Sequence, residues 1–390
     1  MFWYWFFVGP ALLLAVLSVR NAPGRARYIR SRLKETPAAF PPATVIVPVK
    51  GEDYGLRENL EALASLDYPD FELMVVARCA ADIPAGVLPA RVRVVLAHGA
   101  GDGGGSEKVQ NLAVAVRASR ISSQVLAFAD SDTRVTAGWL RALAAPLSEQ
   151  GVGASTGYRW FLPEIPGLAS ARFWTSGGWG FWGLLRSVWD AVCAGMLGAG
   201  NCPFAWGGSM AILKSTYFEA KVPDYWREAV SDDYALTAAM RAGGLRIAYA
   251  PGAMAPSHET ITAGGFFAWT RRQMLLTRVY CPRLWWPGLV AHVFYAGAMA
   301  ASVVALARGH RLALAALAVQ LVPGMWKGYE RARLARACLP GHARWFRRWG
   351  WTHTVLAPVA TWLWLIALAG SAFGDSIEWR GRRYRLRRNW

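Results

Sequence analysis

The sequence predicts an α/β protein with a mostly parallel sheet, flanked by apolar helices of membrane-spanning length. Between about residues 40 and 280, short apolar runs alternate with stretches of helical periodicity, which is typical of a parallel sheet covered by helices. The first 19 residues carry no charge, and three more apolar stretches follow the alternating region. These observations divide the 390-residue chain into a transmembrane anchor (1–20), a basic juxtamembrane linker (21–40), an α/β domain (41–283), a C-terminal membrane region (284–373) and a basic tail (374–390).

The N-terminal segment has the features of an uncleaved membrane anchor. Residues 1–20 lack both the positive charge before the apolar core and the small-residue cleavage site that a signal peptide carries. Arginines follow the segment instead, so the positive-inside rule puts the N-terminus outside and the α/β domain in the cytoplasm. We therefore expect a multi-pass protein of a bacterial-type inner (plasma) membrane with its α/β domain facing the cytoplasm.

The C-terminal membrane region is harder to orient. Its apolar stretches lie at about 284–307, 312–326 and 352–373. The basic, aromatic segment at about 327–351 is typical of an interfacial element, and the arginine-rich tail also favours the cytoplasm. Three full crossings would put the tail outside. The stretch 312–326 is short and interrupted by Pro323 and Gly324, so a re-entrant or mismatched segment stays open as an alternative.

Net charge and cysteine content narrow the possible partners. The formal charge is +18, and 54% of residues are hydrophobic, a combination that suits anionic lipid and phosphate groups. Nucleic-acid binding is the other common cause of such a charge, but no nucleic-acid motif is present, so we expect no nucleic-acid partner. The five cysteines are scattered without metal-ligand spacing, which favours reduced thiols in a cytoplasmic compartment.

Polar residues follow several predicted strands at the point where each strand ends. Lys50 follows "ATVIVPV", Asp82 follows "FELMVVA", and Asp130 and Asp132 follow "VLAFA". Ligands of parallel sheets bind beyond the carboxyl ends of the strands. The D-x-D pair therefore predicts a site for Mg²⁺ or Mn²⁺ with phosphate oxygens in the coordination shell, and a simple Asx turn is the alternative.

A second acidic pair, Asp232 and Asp233, begins a predicted helix at 233–242. Capping by Ser231 and Asp232 explains the pair structurally. Adjacent carboxylates also favour a raised pKa in one of them, as a general base requires. The residues alone leave both interpretations open.

Two further segments are candidates for ligand contact. Gly207 and Gly208 allow close backbone approach to a ligand, or merely a tight turn before a strand. At the membrane boundary, Arg272 and Gln273 belong to a basic segment whose side chains suit either a leaving diphosphate or lipid headgroups.

Taken together, the motifs resemble a known enzyme family. The segments are "VPVKGEDYGLRENLEALASLDYPDFELMVV", "EKVQNL", "FADSDT", "GGSMAI", "SDDYAL" and "WRGRRYRL". Their order is similar to that in the ceramide glucosyltransferase-like branch of the family-two glycosyltransferases, which includes bacterial hopanoid-biosynthesis relatives. The resemblance implies the GT-A fold, with a Rossmann-like, mostly parallel sheet.

The resemblance also implies roles for individual residues. Asp82 matches an acidic residue that contacts the nucleotide, and Lys108 and Asn111 match a K-x-x-N-L element beside the diphosphate. Asp130 and Asp132 match the metal-binding D-x-D motif, and Asp233 matches the general base, with Asp232 next to it. Lys50, Gly208, Arg272 and Gln273 complete the expected donor-binding set.

One motif departs from the family pattern. Leu275 and Leu276 stand where an Arg-Trp pair usually precedes the membrane helices. In the family that tryptophan commonly helps to build the acceptor pocket. The departure therefore bears on how the acceptor and the leaving diphosphate are held.

The function implied by this resemblance is metal-assisted transfer of a hexose, with inversion, from a nucleotide-sugar such as UDP-glucose to a lipid hydroxyl. A ceramide- or hopanoid-like lipid in the bilayer is the expected acceptor. A processive polysaccharide synthase of the same fold and a non-catalytic membrane scaffold are the alternatives. The sequence gives no indication of oligomeric state.

Overall fold

The computed structural model describes residues 2–35, 39–98, 105–165, 170–175, 177 and 180–388. The ends of the predicted anchor and tail (1 and 389–390) and part of the predicted linker (36–38) lie outside the described residues. The chain forms two compact units. We call them the sheet unit (28–160, 196–258 and 376–390) and the helical unit (1–27, 161–195 and 259–375).

The strands follow the predicted alternation. In chain order they are β1 (Ala43–Pro48), β2 (Phe71–Ala77), β3 (Arg93–Leu96), β4 (Val125–Ala129), β5 (Val152–Thr156), β6 (Arg159–Phe161), β7 (Ser209–Leu213), β8 (Arg246–Tyr249), β9 (Ala255–Ser257), β10 (Ser376–Trp379) and β11 (Arg382–Arg385).

The α-helices occupy most of the remaining chain. They are α1 (Phe2–Val19), α2 (Ala22–Arg32), α3 (Leu56–Ala64), α4 (Glu107–Ala118), α5 (Trp139–Ala144), α6 (Ala171–Trp174), α7 (Gly180–Ala194), α8 (Lys214–Glu219), α9 (Val222–Trp226), α10 (Asp232–Ala242), α11 (Ala263–Tyr280), α12 (Pro282–Ala307), α13 (Leu312–Cys338), α14 (Ala343–Trp349), α15 (Thr352–Val355) and α16 (Ala357–Ser371). Short 3₁₀ turns lie at Ala80–Asp82, Ala145–Ser148, Pro251–Ala253 and Pro340–His342.

The sheet unit is built on a seven-stranded sheet in the order β3-β2-β1-β4-β7-β5-β8. Strands β3, β2, β1 and β4 are parallel, β7 runs antiparallel to both β4 and β5, and β5 is parallel to β8. The predicted α/β class with a mostly parallel sheet is therefore confirmed. The parallel strands β1, β2 and β4 bring the residues that follow them to one edge of the sheet.

The core of the sheet unit explains why these strands form. The central strand β4 is buried along its whole length, as the uninterrupted run of small and β-branched residues in "VLAFA" predicts. Trp139 on α5 is fully buried, and its indole N–H donates a hydrogen bond to Ser209 Oγ at 2.8 Å. This core holds the polar residues at the strand ends in place.

The basic tail also belongs to the sheet unit. Strands β10 and β11 form an antiparallel hairpin whose two-residue turn, Arg380–Gly381, joins the paired residues Trp379 and Arg382. Ile377 and Leu386 are buried and anchor the hairpin. The tail is thus an ordered part of the unit that carries the D-x-D motif.

The helical unit packs its apolar helices against one another. Helix α1 contacts α12 and α13, with Val8 and Ala11 buried against Ala298 and Ala316. Other large apolar side chains on these helices are exposed: Leu13, Val16, Trp286, Val290, Val303, Val304, Leu312, Leu314 and Val322. The unit therefore presents apolar surface outward on three neighbouring helices.

Among the described residues, two helical segments meet the length and hydropathy expected of a membrane span. One is Tyr4–Arg32, which comprises most of α1 together with α2, and the other is α12, Pro282–Ala307. Ala357–Ser371 is a shorter apolar helix. The expectation that 312–326 is a short interrupted segment differs from the structure, because α13 continues through Pro323 and Gly324 to Cys338. Helix α16 is the short one, at 15 residues.

Candidate active site

The D-x-D residues lie directly after β4 and are held by two cationic side chains. Lys108 Nζ donates to Asp130 Oδ1 at 2.7 Å. One terminal guanidinium nitrogen of Arg159 lies 2.9 and 3.0 Å from the two carboxylate oxygens of Asp132, and 3.8 Å from Asp130 Oδ2. Both aspartates therefore turn toward a common cationic centre at the predicted edge of the sheet.

Lys108 also joins the D-x-D motif to the second acidic pair. It lies in the first turn of α4, which begins after Ser106; the Ser106 side chain accepts a hydrogen bond from the Val109 amide and caps the helix. From there its ammonium reaches Asp232 Oδ1 at 3.1 Å as well as Asp130. Burial alone would lower the pKa of Lys108, but the two carboxylates raise it above its usual value. At Asp130, burial alone would raise the pKa, but the attraction of Lys108 outweighs this effect and the pKa is lowered.

The second acidic pair occupies the start of α10. Asp232 is buried, and its Oδ2 has no hydrogen-bond partner among the described residues. Asp233 is half-buried and accepts hydrogen bonds from the Ser231 hydroxyl, the Tyr234 amide at 2.7 Å and the Gly207 amide at 3.1 Å. Ser231 stands at the N-cap position but makes no side-chain capping bond to the helix. Its hydroxyl orients Asp233 instead.

The two carboxylates have different electrostatic surroundings. Burial raises the pKa of Asp232; Lys108 partly offsets this, and the neighbouring carboxylates of Asp233 and Asp130 raise it further, to about 6. The expected raised pKa therefore falls on Asp232. Asp233 is the better hydrogen-bonded of the two.

Gly207 and Gly208 are required by neighbouring side chains. A Cβ atom at Gly207 would lie 2.5 Å from Asp232 Oδ2, and one at Gly208 would lie 2.2 Å from the Trp206 ring. The space expected for a ligand at Gly208 is thus filled by Trp206. At Gly207 the missing Cβ lets the backbone amide reach Asp233.

The other predicted donor-site residues of the sheet unit lie on the same side of the sheet. Lys50 Nζ forms an ion pair with Glu107 at 2.8 Å. The Asp82 carboxylate accepts hydrogen bonds from the amide and thiol of Cys79, and its carbonyl accepts one from the Gly51 amide at 2.7 Å. Asn111 is buried on α4, and its Oδ1 has no partner among the described residues.

The donor set at this edge fits a divalent ion that the substrate helps to bind. Carboxylate oxygens of Asp130 and Asp132 are hard ligands of the kind that Mg²⁺ and Mn²⁺ take. Within the described residues, no group of three or more His, Cys, Asp or Glu side chains could hold a metal by itself. Mg²⁺ in proteins commonly takes substrate phosphate oxygens and water in addition to one or two carboxylates.

A family model decides what kind of protein carries this site. The model described as "Glycosyl transferase family 21" matches residues 10–390, nearly the whole chain. The chain belongs to glycosyl transferase family 21. Its activity is that of a glycosyltransferase, which confirms the predicted enzyme class.

Two solved structures are among those that resemble parts of this chain at low sequence identity. A mannosyltransferase from Pyrobaculum calidifontis, in complex with GDP-Man and Mn²⁺, is 17% identical, with a TM-score of 0.47, covering 91% of this chain and 98% of its own. Glucosyl-3-phosphoglycerate synthase from Mycobacterium tuberculosis, with Mn²⁺, UDP and glucosyl-3-phosphoglycerate, is 15% identical, with a TM-score of 0.39, covering 66% and 84%. No curated protein gives a significant match.

In this family 21 glycosyltransferase, two predicted donor-site residues lie outside the sheet unit. Arg272 and Gln273 are on α11 of the helical unit, where Leu275 is fully buried. Leu275 packs where the family pattern expects a polar Arg. The contribution of Arg272 and Gln273 to donor binding remains a prediction.

Sequence reasoning missed several residues that contact the candidate site residues or the tail. Arg159 contacts the D-x-D motif from β6, although nothing in "GYRWF" marks it as functional. Asp53 and Glu107 lie inside the recognised segments "VPVKGEDYG" and "EKVQNL", and they contact Arg380 and Arg382 of the tail. For Asp53 and Glu107, the available signal was the presence of "WRGRRYRL" among the family motifs.

Proposed function

We propose that this glycosyltransferase transfers a hexose from a nucleotide-sugar, such as a UDP-hexose, to the hydroxyl group of a membrane lipid, with inversion at the anomeric carbon. The observation that carries the proposal is the position of Lys108. Its ammonium contacts both Asp130 and Asp232, so it links the diphosphate-metal motif to the acidic pair of the base motif. The diphosphate of the donor and the hydroxyl group of the acceptor can thus be bound within one cluster of side chains.

The donor side of the cluster suits a diphosphate leaving group. A divalent ion held by Asp130 and Asp132 supplies Lewis-acid stabilisation of the departing diphosphate when it is bound. Lys108 and Arg159 are cations that donate to these aspartates and lie close enough to bind phosphate oxygens. Lys50 and Asp82 extend the same edge toward the nucleotide.

The acceptor side of the cluster suits proton removal by Asp233. Hydrogen bonds from Ser231, Tyr234 and Gly207 fix the orientation of its carboxylate, as a general base requires. Asp232 is more deeply buried and is paired with Lys108. We assign proton abstraction from the acceptor hydroxyl to Asp233, and the placement of Lys108 to Asp232.

The helical unit supports a lipid acceptor, which we propose to be ceramide- or hopanoid-like. Its outward apolar surface on α1, α12 and α13 is suited to hydrocarbon, since water-soluble proteins rarely expose such extended patches. Helix α12, with 26 residues, has the length and hydropathy of one membrane crossing, and α16, with 15 residues, is shorter than a usual crossing.

We propose that the sheet unit faces the cytoplasm of a bacterial-type inner membrane. The basic segments on either side of the apolar helices favour this orientation.

The test is transfer of labelled sugar from a panel of UDP- and GDP-hexoses to lipid extract by membranes containing the protein, with Mg²⁺ or Mn²⁺. We expect labelled glycolipid from the wild type and a loss of about 100-fold or more with Asp233→Asn. Asp224→Asn, an exposed residue paired with Arg227, is the matched control and should retain activity. Label in polymer instead of lipid would favour a processive synthase. Full activity of Asp233→Asn would refute its role as base.

A further inference from the structure

The C-terminal hairpin reaches the D-x-D motif through Arg380. The Arg380 guanidinium forms an ion pair with Asp53, and the other carboxylate oxygen of Asp53 accepts a hydrogen bond from Ser131 at 2.5 Å. Ser131 is the residue between Asp130 and Asp132. The hairpin tip is therefore linked to the D-x-D segment through two side chains, Asp53 and Ser131, although 327 positions of sequence separate Arg380 from Asp53.

The conformation of the hairpin turn is unusual for the residue that occupies it. Arg380 and Gly381 have φ angles of 53° and 71°. A two-residue turn with positive φ at both positions normally carries Asn or Asp followed by Gly, because side chains larger than these are strained there. A strained residue that is held in place by its surroundings is often a functional one. The chain thus keeps a guanidinium where turn geometry favours a smaller side chain.

A second ion pair fixes the hairpin beside the first turn of α4. Arg382 donates to Glu107 Oε2 at 2.9 Å, and Lys50 donates to the same oxygen at 2.8 Å. Glu107 is buried, whereas the side chains of Arg380 and Arg382 are 35% and 51% exposed. The carboxylate partners are inside and the guanidinium groups are accessible to a ligand.

We propose that the hairpin is a wall of the donor site, in which Arg380 binds the diphosphate of the nucleotide-sugar and Arg382 positions the hairpin through Glu107. A guanidinium beside the D-x-D motif can donate two hydrogen bonds to phosphate oxygens, which is the geometry that arginine recognises best. Asp53 holds Arg380 at the site before the donor arrives. This inference rests on the proposed nucleotide-sugar donor.

The experiment measures nucleotide binding by the full chain in detergent with Mn²⁺, using UDP, GDP and the corresponding nucleosides as probes. We expect the hairpin to stay folded in the informative variant, Arg380→Asn, because asparagine is favoured at this turn position. We expect it to weaken nucleoside diphosphate binding at least about tenfold and to leave nucleoside binding unchanged. The affinity of Arg380→Lys for nucleoside diphosphates should lie between those of the wild type and Arg380→Asn.

Arg383→Ala is the matched control, because Arg383 lies on the same hairpin and bonds to Ser376 rather than to the site. It should bind nucleoside diphosphates like the wild type. If Arg380→Asn binds them equally well, or loses nucleoside and diphosphate binding in the same proportion, the proposed contact is wrong while the donor assignment stands. If the wild type itself binds no nucleoside diphosphate, the donor assignment fails and the inference fails with it.

Discussion

Lys108 Nζ lies 2.7 Å from Asp130 Oδ1, across the gap between the first turn of α4 and the end of β4. The same ammonium lies 3.1 Å from Asp232 and so separates two carboxylates that would otherwise repel each other. Asp130 and Asp232 therefore depend on Lys108 as their shared counter-ion.

Replacing Lys108 with Met keeps the length of the side chain and removes the charge. We expect Lys108→Met to lower the free energy of unfolding by about 3 kcal/mol, because a largely buried carboxylate pair loses its counter-ion. Chemical denaturation in detergent measures the change. Lys214→Met is the control, since Lys214 donates only to a backbone carbonyl in the described contacts. Equal stability of the two variants would contradict the central role of Lys108.

Removing divalent ions should abolish transfer. We expect a chelator to reduce activity at least about 100-fold, and added Mn²⁺ or Mg²⁺ to restore it in the wild type but not in Asp130→Asn. Asp67→Asn, at an exposed carboxylate paired with Arg141, should behave like the wild type. Undiminished transfer in the chelator would instead assign stabilisation of the diphosphate to cationic side chains such as Lys108 and Arg159.

Substitution of Gly207 tests how closely the acidic pair is placed. In Gly207→Ala the new Cβ would lie 2.5 Å from Asp232 Oδ2, so the backbone or the carboxylate must shift. We expect transfer to fall about 100-fold with the fold retained, because small displacements of reacting groups are costly. Gly138→Ala, where no atom lies within 4 Å of the added Cβ, should be active. Full activity of Gly207→Ala would mean that Asp233 does not depend on the Gly207 amide.

The raised pKa of Asp232 predicts a pH-dependent stability difference. Its pKa is about 6 in the folded protein and 3.8 ordinarily, so between these values the folded state binds more protons than the unfolded state. Stability from this group is therefore lost as the pH rises through that window. The melting temperature of the wild type relative to Asp232→Asn should fall between about pH 4 and about pH 6 and then level off. A difference that rises with pH would show that the carboxylate is stabilised in its charged form.

The sequence was sufficient for the parallel strands of the sheet unit, because these strands are short and mostly buried, and helices separate most of them. The run "VLAFA" predicts β4, and the residues after it predict the edge where Lys50, Asp82 and Asp130 are found. In contrast, the antiparallel insertion of β7 between β4 and β5 depends on long-range pairing that local pattern does not contain.

The candidate site was predictable only where several functional residues form a compact motif. Asp130, Asp132 and Asp233 each belong to such a motif. Arg159 approaches the D-x-D segment from β6, and a single arginine in an arginine-rich chain carries no local signal. Arg380 belongs to the recognised "WRGRRYRL" segment, but its contact with Asp53 depends on long-range packing. The continuous helix α13 was missed because Pro323 and Gly324 normally weaken helices, whereas here packing against α1 and α12 holds the helix together.

The discontinuous composition of the sheet unit has a consequence for biosynthesis. Its last component, the hairpin of residues 376–388, emerges from the ribosome after every helix of the helical unit has been made. Asp53 and Glu107 are made early in synthesis, but their ion pairs with Arg380 and Arg382 can form only after the hairpin has been made. A nascent chain that has not yet reached the hairpin lacks the proposed wall of the donor site, so the order of synthesis delays that site until residues 376–388 have been made.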